Sequence, residues 1–176
     1  ADPVSKIAPH YAAIVIDTRP SFSLMTEMGL LAATDAIVPV EPRYLETVGL
    51  LSVISKINDI RDGWRIANLS VRGIVVTKMD NRVRGHHHLL EELKTHPQLN
   101  QLLLGVIPMN EAVSHAHRNH TSIFAYDPKA IAKWMGSNAI RYSMQQKLHR
   151  IMSIKFHRKH MPGGLVSPFN IVFCKI

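Results

Sequence analysis

Cysteine is nearly absent. Cys174 is the one thiol in 176 residues, so no internal disulfide can form and a reducing cytoplasm fits. Its only basic neighbour is Lys175, and an inert thiol is the reading. Aromatics are scarce: five Phe and two Trp leave no evident platform for stacking bases. No apolar run approaches the roughly 20 residues that cross a bilayer. No charged start leads into an apolar stretch with a small-residue cleavage site, so a signal peptide is not expected either. Acidic residues are outnumbered, 13 against 21 Lys and Arg. The resulting net charge of +8 favours a polyanion partner such as nucleic acid.

What is present describes a globular chain. Hydrophobic residues make up 46% and charged residues 19%, a balance unlike that of disordered segments. The length suffices for one domain with a core, and neither an internal repeat nor a linker divides it. The chain opens on Ala1 rather than Met, which fits a processed product or a piece of something longer.

The stretch around which the rest is organised is Tyr11 to Pro20, YAAIVIDTRP. Its apolar run reads as a short strand buried on both faces, since β-branched residues pack there without alternating. Charge enters only at Asp17, where the strand ends. Open parallel sheets keep their ligands at that edge, and a carboxylate there suits a metal–phosphate group, held directly or through water. The plainer alternative is that Asp17 starts a turn or caps the next helix.

Strands and helices then alternate. Ser21 is a candidate cap for a helix to about Ala33, with Phe22, Met25, Met28, Leu31 and Ala32 at helical spacing. Asp35 to Pro42 reads as a second buried strand. Arg43 to about Ile60 reads as an amphipathic helix with Leu45, Val48, Leu51, Ile54, Ser55 and Ile57 mostly on one face, stopped at Asp62-Gly63. A third strand is expected over Val71–Thr77, then a basic turn at 81–85. A helix carrying Leu89, Leu90 and Leu93 ends near His96-Pro97, and a fourth strand spans Leu102–Ile107. A short helix fits Asn110–His117. Asp127-Pro128 starts a long helix toward Lys155, with Ile140, Met144, Leu148 and Ile151 as its apolar stripe. Phe169 to Cys174 is either one more strand or a loose tail. The alternation argues for an α/β fold, a three-layer doubly wound and mostly parallel sheet with right-handed crossovers.

The order of these blocks resembles the ParA/Soj-type partition ATPases, the deviant Walker relatives that include MinD. IVIDTRPSFSLMTEMGLLAATDAIVPVEP is similar to that family's strand, Asp-Thr-Pro-Pro, apolar helix, Ala-Asp and strand ending in Pro. GIVVTKMDNR, GVIPMNEAVSHAH and IFAYDPKAIA resemble the family's later blocks in the same order, so the likeness covers about residues 11–148. It implies a P-loop-NTPase-like fold, with residues 1–148 as the C-terminal part of the ATPase domain and 149–176 as a basic tail. It further implies ATP and Mg²⁺ as cofactors of the complete protein. Homodimerisation, non-specific DNA and a ParB-like protein are the partners it implies, with a cytoplasmic, nucleoid-associated location. On the same grounds Asp17 is the Walker B carboxylate that organises Mg²⁺ through water. Thr77, Pro108 and Asn110 lie on the adenine side, and Arg82 matches a basic position used against DNA backbone.

Four departures bear on these expectations. Arg19 stands where the family has a rigid Pro, and Met109 and Ala112 stand at two of its Arg positions, which weakens the usual DNA-contacting surface. No Gly-x-x-x-x-Gly-Lys-Ser/Thr occurs anywhere in the chain, and only ten residues precede Tyr11, whereas the family carries its P-loop well upstream. Gly73-Ile-Val-Val-Thr-Lys lacks the second Gly. A P-loop works because backbone N–H groups at a helix start surround the phosphates while a Lys neutralises charge. Without that cradle the sequence given does not hydrolyse ATP by the family's mechanism, and the sheet lacks the P-loop strand. Lastly, HRIMSIKFHRKHMPGG does not resemble the family.

The basic residues of that region set a second expectation. Arg141, Lys147, Arg150, Lys155, Arg158 and Lys159, with His149, His157 and His160 alongside, form either a solvated face or a surface that holds DNA phosphates without sequence preference. A membrane anchor of the MinD kind is not expected, because the apolar stripe of this helix is needed to cover the sheet. His86-His87-His88 cannot all face one ion from a helix, so a solvated helix start is expected there rather than a metal site. His115, His117 and His120 share a surface on the same reasoning.

Overall fold

The computed structural model describes residues 13–19, 21–42, 47–127 and 169–173, together with Val4, Lys6, His10, Tyr11 and Lys129. The elements follow in order as β1 (Ala13–Asp17), α1 (Leu24–Leu31), β2 (Asp35–Val40), α2 (Thr47–Gly63), β3 (Ser70–Met79) and α3 (Arg84–Thr95). After a 3₁₀ turn at Asn100–Leu102 come β4 (Leu103–Pro108), α4 (Glu111–Arg118), α5 (Ile123–Tyr126) and β5 (Phe169–Phe173). The strands form one sheet in the order β1-β5-β2-β3-β4, and every neighbouring pair is parallel. Helices flank this sheet, an α/β fold of the P-loop-NTPase-like kind.

The sheet is parallel because β1, β2 and β3 are each followed by a helix that returns the chain before the next strand. Its principal core lies on one face. Ala36, Val38 and Val40 from β2 and Ile74 and Val76 from β3 meet Leu30 of α1, Leu50, Val53, Ile57 and Ile60 of α2, and Leu89 and Leu93 of α3. The opposite face holds a smaller cluster, Ile37 and Val75 with Leu104 and Ile107 packed against it.

Two irregularities have local causes. Between β2 and β3 the register advances by one residue on β2 and two on β3, from Ala36↔Val71 to Ile37↔Gly73. The extra residue is Arg72, whose Nε donates to the buried carboxylate of Asp35 at 2.7 Å. Thr34 Oγ1 donates to the same carboxylate at 2.8 Å, so the buried charge is paired and hydrogen-bonded. Gly73 also lets β4 approach closely: a Cβ there would lie 2.5 Å from the Leu102 carbonyl oxygen and 2.4 Å from Leu104 Cγ.

Several expectations are corrected. The first helix begins after Ser23, not Ser21, with no side-chain cap, and turns Thr26, Gly29 and Leu30 inward. Met25 is 73% exposed and Met28 55%, so the methionine stripe faces solvent. In α2 the buried line is Leu50, Val53, Ile57 and Ile60, while Val48 is 72% exposed. Apolar residues at 48, 50, 51, 53, 54, 57 and 60 make an arc too wide to show its own centre, and packing against the sheet selects it. The short helix α5, capped by the Ser122 hydroxyl, had no expectation. Of the two alternatives for the segment after Phe169, the structure has the strand. The long helix expected from Asp127 falls outside the described residues.

Candidate functional site at the carboxyl rim of the sheet

All strands point one way, so their last residues share a rim. Asp17 closes β1 and is exposed. Its register partner is Phe173, at the end of β5, and Phe173 is also opposite Ile37 of β2. β1 and β2 are consecutive in sequence yet separated by β5, and Asp17 sits at the carboxyl end of the edge strand. In open α/β sheets ligands bind outside the carboxyl ends of the strands.

Farther along the rim the ends of β3 and β4 meet. Thr77 Oγ1 donates to the Val40 carbonyl oxygen at 3.2 Å, tying β3 to β2. Met79 is opposite Pro108, and the Met109 N–H donates to the Met79 carbonyl at 2.8 Å. Asn110 caps α4, its Oδ1 accepting from the Ala112 N–H at 2.8 Å. Thr77, Pro108 and Asn110 are therefore brought together. Asp17 is not among them: β5 and β2 intervene, roughly 14 Å at the spacing of hydrogen-bonded strands.

Sequence reasoning missed other groups on the rim. Lys78 adopts a left-handed backbone, φ 54°, and absorbs an extra residue where β3 advances past β4 between Val76 and Met79. Its ammonium pairs with Glu41, just beyond β2. A lysine at positive φ is strained, and such strain concentrates at functional sites. The sequence signal was slight: a charged residue inside an apolar strand, one position before Met79.

The next turn is built on Asp80. Its carboxylate accepts from the Arg82 backbone N–H and Nε, both at 3.0 Å, and from Nη2 at 2.8 Å. These hydrogen bonds from Arg82 hold the carboxyl well below the usual carboxylate range and push Arg82 up. The Arg82 side chain is 88% exposed. His86, expected in solvent, is only 3% exposed, and its Nδ1 accepts from the Asp80 N–H at 3.0 Å. The start of α3 faces β3 at that position, which turns the first imidazole of the run inward.

The other histidines are surface groups. His87 and His88 are exposed, and His88 lies 3.4 Å from Glu92. His115 and His117 are on the outer side of α4, with His115 stacked on Tyr126 at 6.5 Å between ring centres. Among the described residues no group of three His, Cys, Asp or Glu is placed to hold a metal ion. No helix among them is long and apolar enough to cross a membrane. The remaining basic candidates, Arg141, Lys147, Arg150, Lys155, Arg158 and Lys159, lie outside the described residues.

The rim fits a nucleotide in part. An exposed carboxylate at a strand end suits Mg²⁺ held through water. The segment after it is Thr18-Arg19-Pro20, with no run of glycines whose backbone N–H groups could surround phosphates. The described residues therefore do not supply a phosphate cradle.

Comparison with known proteins agrees with this geometry. A family model described as an AAA domain matches residues 1–71. The chain is 28% identical over 129 residues to the chromosome partitioning protein ParA of Myxococcus xanthus, covering 73% of this chain and 45% of that one. It is 27% identical over 124 residues to the sporulation initiation inhibitor protein Soj of Bacillus subtilis, 70% and 48% of the two chains. With the chromosome-partitioning ATPase Soj of Thermus thermophilus it shares 26% over 141 residues, 80% and 54%. The chain spans about half the length of the curated relatives it matches. The four sequence blocks, the parallel sheet that carries them and these relatives agree in one likeness: the chain is similar to the ParA/Soj-type partition ATPases.

Proposed function

We propose that this chain is the C-terminal part of an ATPase that partitions a plasmid or chromosome. The complete protein binds ATP with Mg²⁺, dimerises, and holds DNA without sequence preference until a ParB-like partner stimulates hydrolysis. Asp17 is its Walker B carboxylate, Thr77, Pro108 and Asn110 line the adenine side, and Arg82 contacts DNA backbone. Residues 149–176 add basic surface for the same polyanion. The observation that carries this reading is the position of Asp17, exposed at the carboxyl end of a strand in an all-parallel sheet. The test is the complete gene product. A glycine-rich phosphate loop should be encoded upstream, and Asp17→Asn should abolish ATP hydrolysis while the protein remains folded. Hydrolysis unaffected by Asp17→Asn would remove the assignment.

A second reading has one observation in its favour. β5 fills the position between β1 and β2, so the described sheet is continuous without a strand that leads into a phosphate loop. On this reading the chain is a non-catalytic DNA-binding or partner-interaction module on a degenerate ATPase scaffold. Purified chain would then bind duplex DNA and give no heat with Mg–ATP. Micromolar ATP affinity would count against it.

A further inference from the structure

The histidine run at 86–88 resembles neither a metal site nor an idle solvated stretch once its contacts are traced. Its three side chains do three different things. His88 lies along α3 beside Glu92. His86 and His87 both reach back to the turn that precedes the helix. The buried His86 accepts the Asp80 N–H at Nδ1, 3.0 Å away, which fixes its proton on Nε2. His87 Nε2 lies 2.9 Å from the Asn81 carbonyl oxygen, so that nitrogen donates. The two rings thus hold consecutive residues, one by its backbone donor and one by its backbone acceptor. Main-chain bonds from the Val83 N–H to the Asp80 carbonyl and from the His86 N–H to the Val83 carbonyl, both 3.1 Å, close the same turn.

The turn in its turn fixes one cation. Asp80 grips Arg82 through Nε and Nη2, which leaves the Nη1 side of the planar fork facing away from the carboxylate. A guanidinium held by one edge presents its other donors in a set direction and loses little rotamer freedom when it meets a phosphate. Glu111, at the start of α4, adds to the negative field that Arg82 feels.

We propose that His86 and His87 are positioning residues that hold the Asp80–Arg82 turn in the shape from which Arg82 meets a nucleic-acid phosphate. The proposal rests on the reading of Arg82 as a DNA-backbone contact given above. His86 acts at the backbone of residue 80 and His87 at that of residue 81, and neither touches the phosphate. Loss of either ring lets the turn, and with it the Asp80–Arg82 pair, sample other shapes.

The test is duplex-DNA binding by the full chain at one fixed pH, titrated with salt. Arg82→Ala sets the scale: it should weaken binding several-fold and lower the log–log salt slope by about 0.9, the loss of one phosphate contact. His86→Leu keeps the bulk but removes the acceptor, and should reproduce that loss. His86→Asn, whose amide oxygen takes the place of Nδ1, should restore the original slope. His87→Ala should lower affinity and slope, and His87→Gln, which supplies a donor near Nε2, should restore them. In the Arg82→Ala background neither histidine change should matter further, because both act through Arg82. An unchanged slope in His86→Leu and His87→Ala, with Arg82→Ala effective, overturns the clamp alone. An effect of the histidine changes that persists without Arg82 also overturns it. An ineffective Arg82→Ala overturns the DNA contact first and the clamp with it. His87 is exposed, so its pair of variants decides the matter if His86→Leu does not fold.

Discussion

Three donors from Arg82 converge on one carboxylate at Asp80, and the consequence is a measurable pH dependence. The folded-state pKa of Asp80 is depressed by those bonds. A depressed carboxylate contributes stability that is fully present above its unfolded value, about 4, and is lost as pH falls through the lower folded value. Asp80→Asn should therefore unfold at a lower denaturant concentration than the native chain at pH 7, and the gap should close as both are titrated into acid. A gap that does not change with pH would mean the carboxylate is not charged in the folded turn. At Gly73 the argument is steric. Gly73→Ala puts a methyl against the Leu102 carbonyl, and backbone yields less than side chain, so a loss of about 1–3 kcal/mol in urea unfolding is expected. The end of β1 at Asp17 was legible in the sequence because an apolar run that ends abruptly in a carboxylate has few uses other than a strand end, but the burial expected on both faces is corrected: β1 is the edge strand and Val15 is 53% exposed. His86 was not legible: three identical side chains in a row differ only in helix phase, and which of them faces the strand depends on where α3 begins. The left-handed Lys78 was equally hidden, since only the mismatch between β3 and β4 demands it.

At the scale of elements, apolar pattern located the strands and helices and failed to choose their faces. The second strand, expected over Asp35–Pro42, runs from Asp35 to Val40, and the fourth, expected at Leu102–Ile107, runs from Leu103 to Pro108, because parallel strands are nearly continuous apolar runs with sharp ends. The helices α1 and α2 carry apolar residues on more than one side, so the sheet decided which side is covered. Their corrected orientation has a direct test. Met25→Lys should change stability by less than about 0.5 kcal/mol, as a solvent-facing substitution does. Leu30→Ala, at a position with no exposure, should cost about 2–5 kcal/mol. The reverse ranking in thermal or urea unfolding would place the methionine stripe against the core after all. The strand β5 was legible only as one of two alternatives, since FNIVF has strand composition but follows a Pro-Gly-Gly break. Its slot between β1 and β2 is a long-range pairing that no local pattern encodes.

For the whole molecule, the positive charge and the likeness to partition ATPases meet in one expectation. The net +8 says only that a polyanion is a favoured partner, and the relatives' names say chromosome partitioning of those proteins. Together with Arg82 on the rim they support the proposed contact with DNA through phosphates. Such contact releases counterions, so its affinity must fall steeply with salt and hardly at all with base sequence. The most direct measurement is the equilibrium affinity of the purified chain for two unrelated duplexes of equal length across a salt series. The account predicts equal affinities and a log–log slope between about −3 and −6, the release expected for roughly four to seven phosphate contacts. A flat salt response, or a strong preference for one duplex, would contradict it.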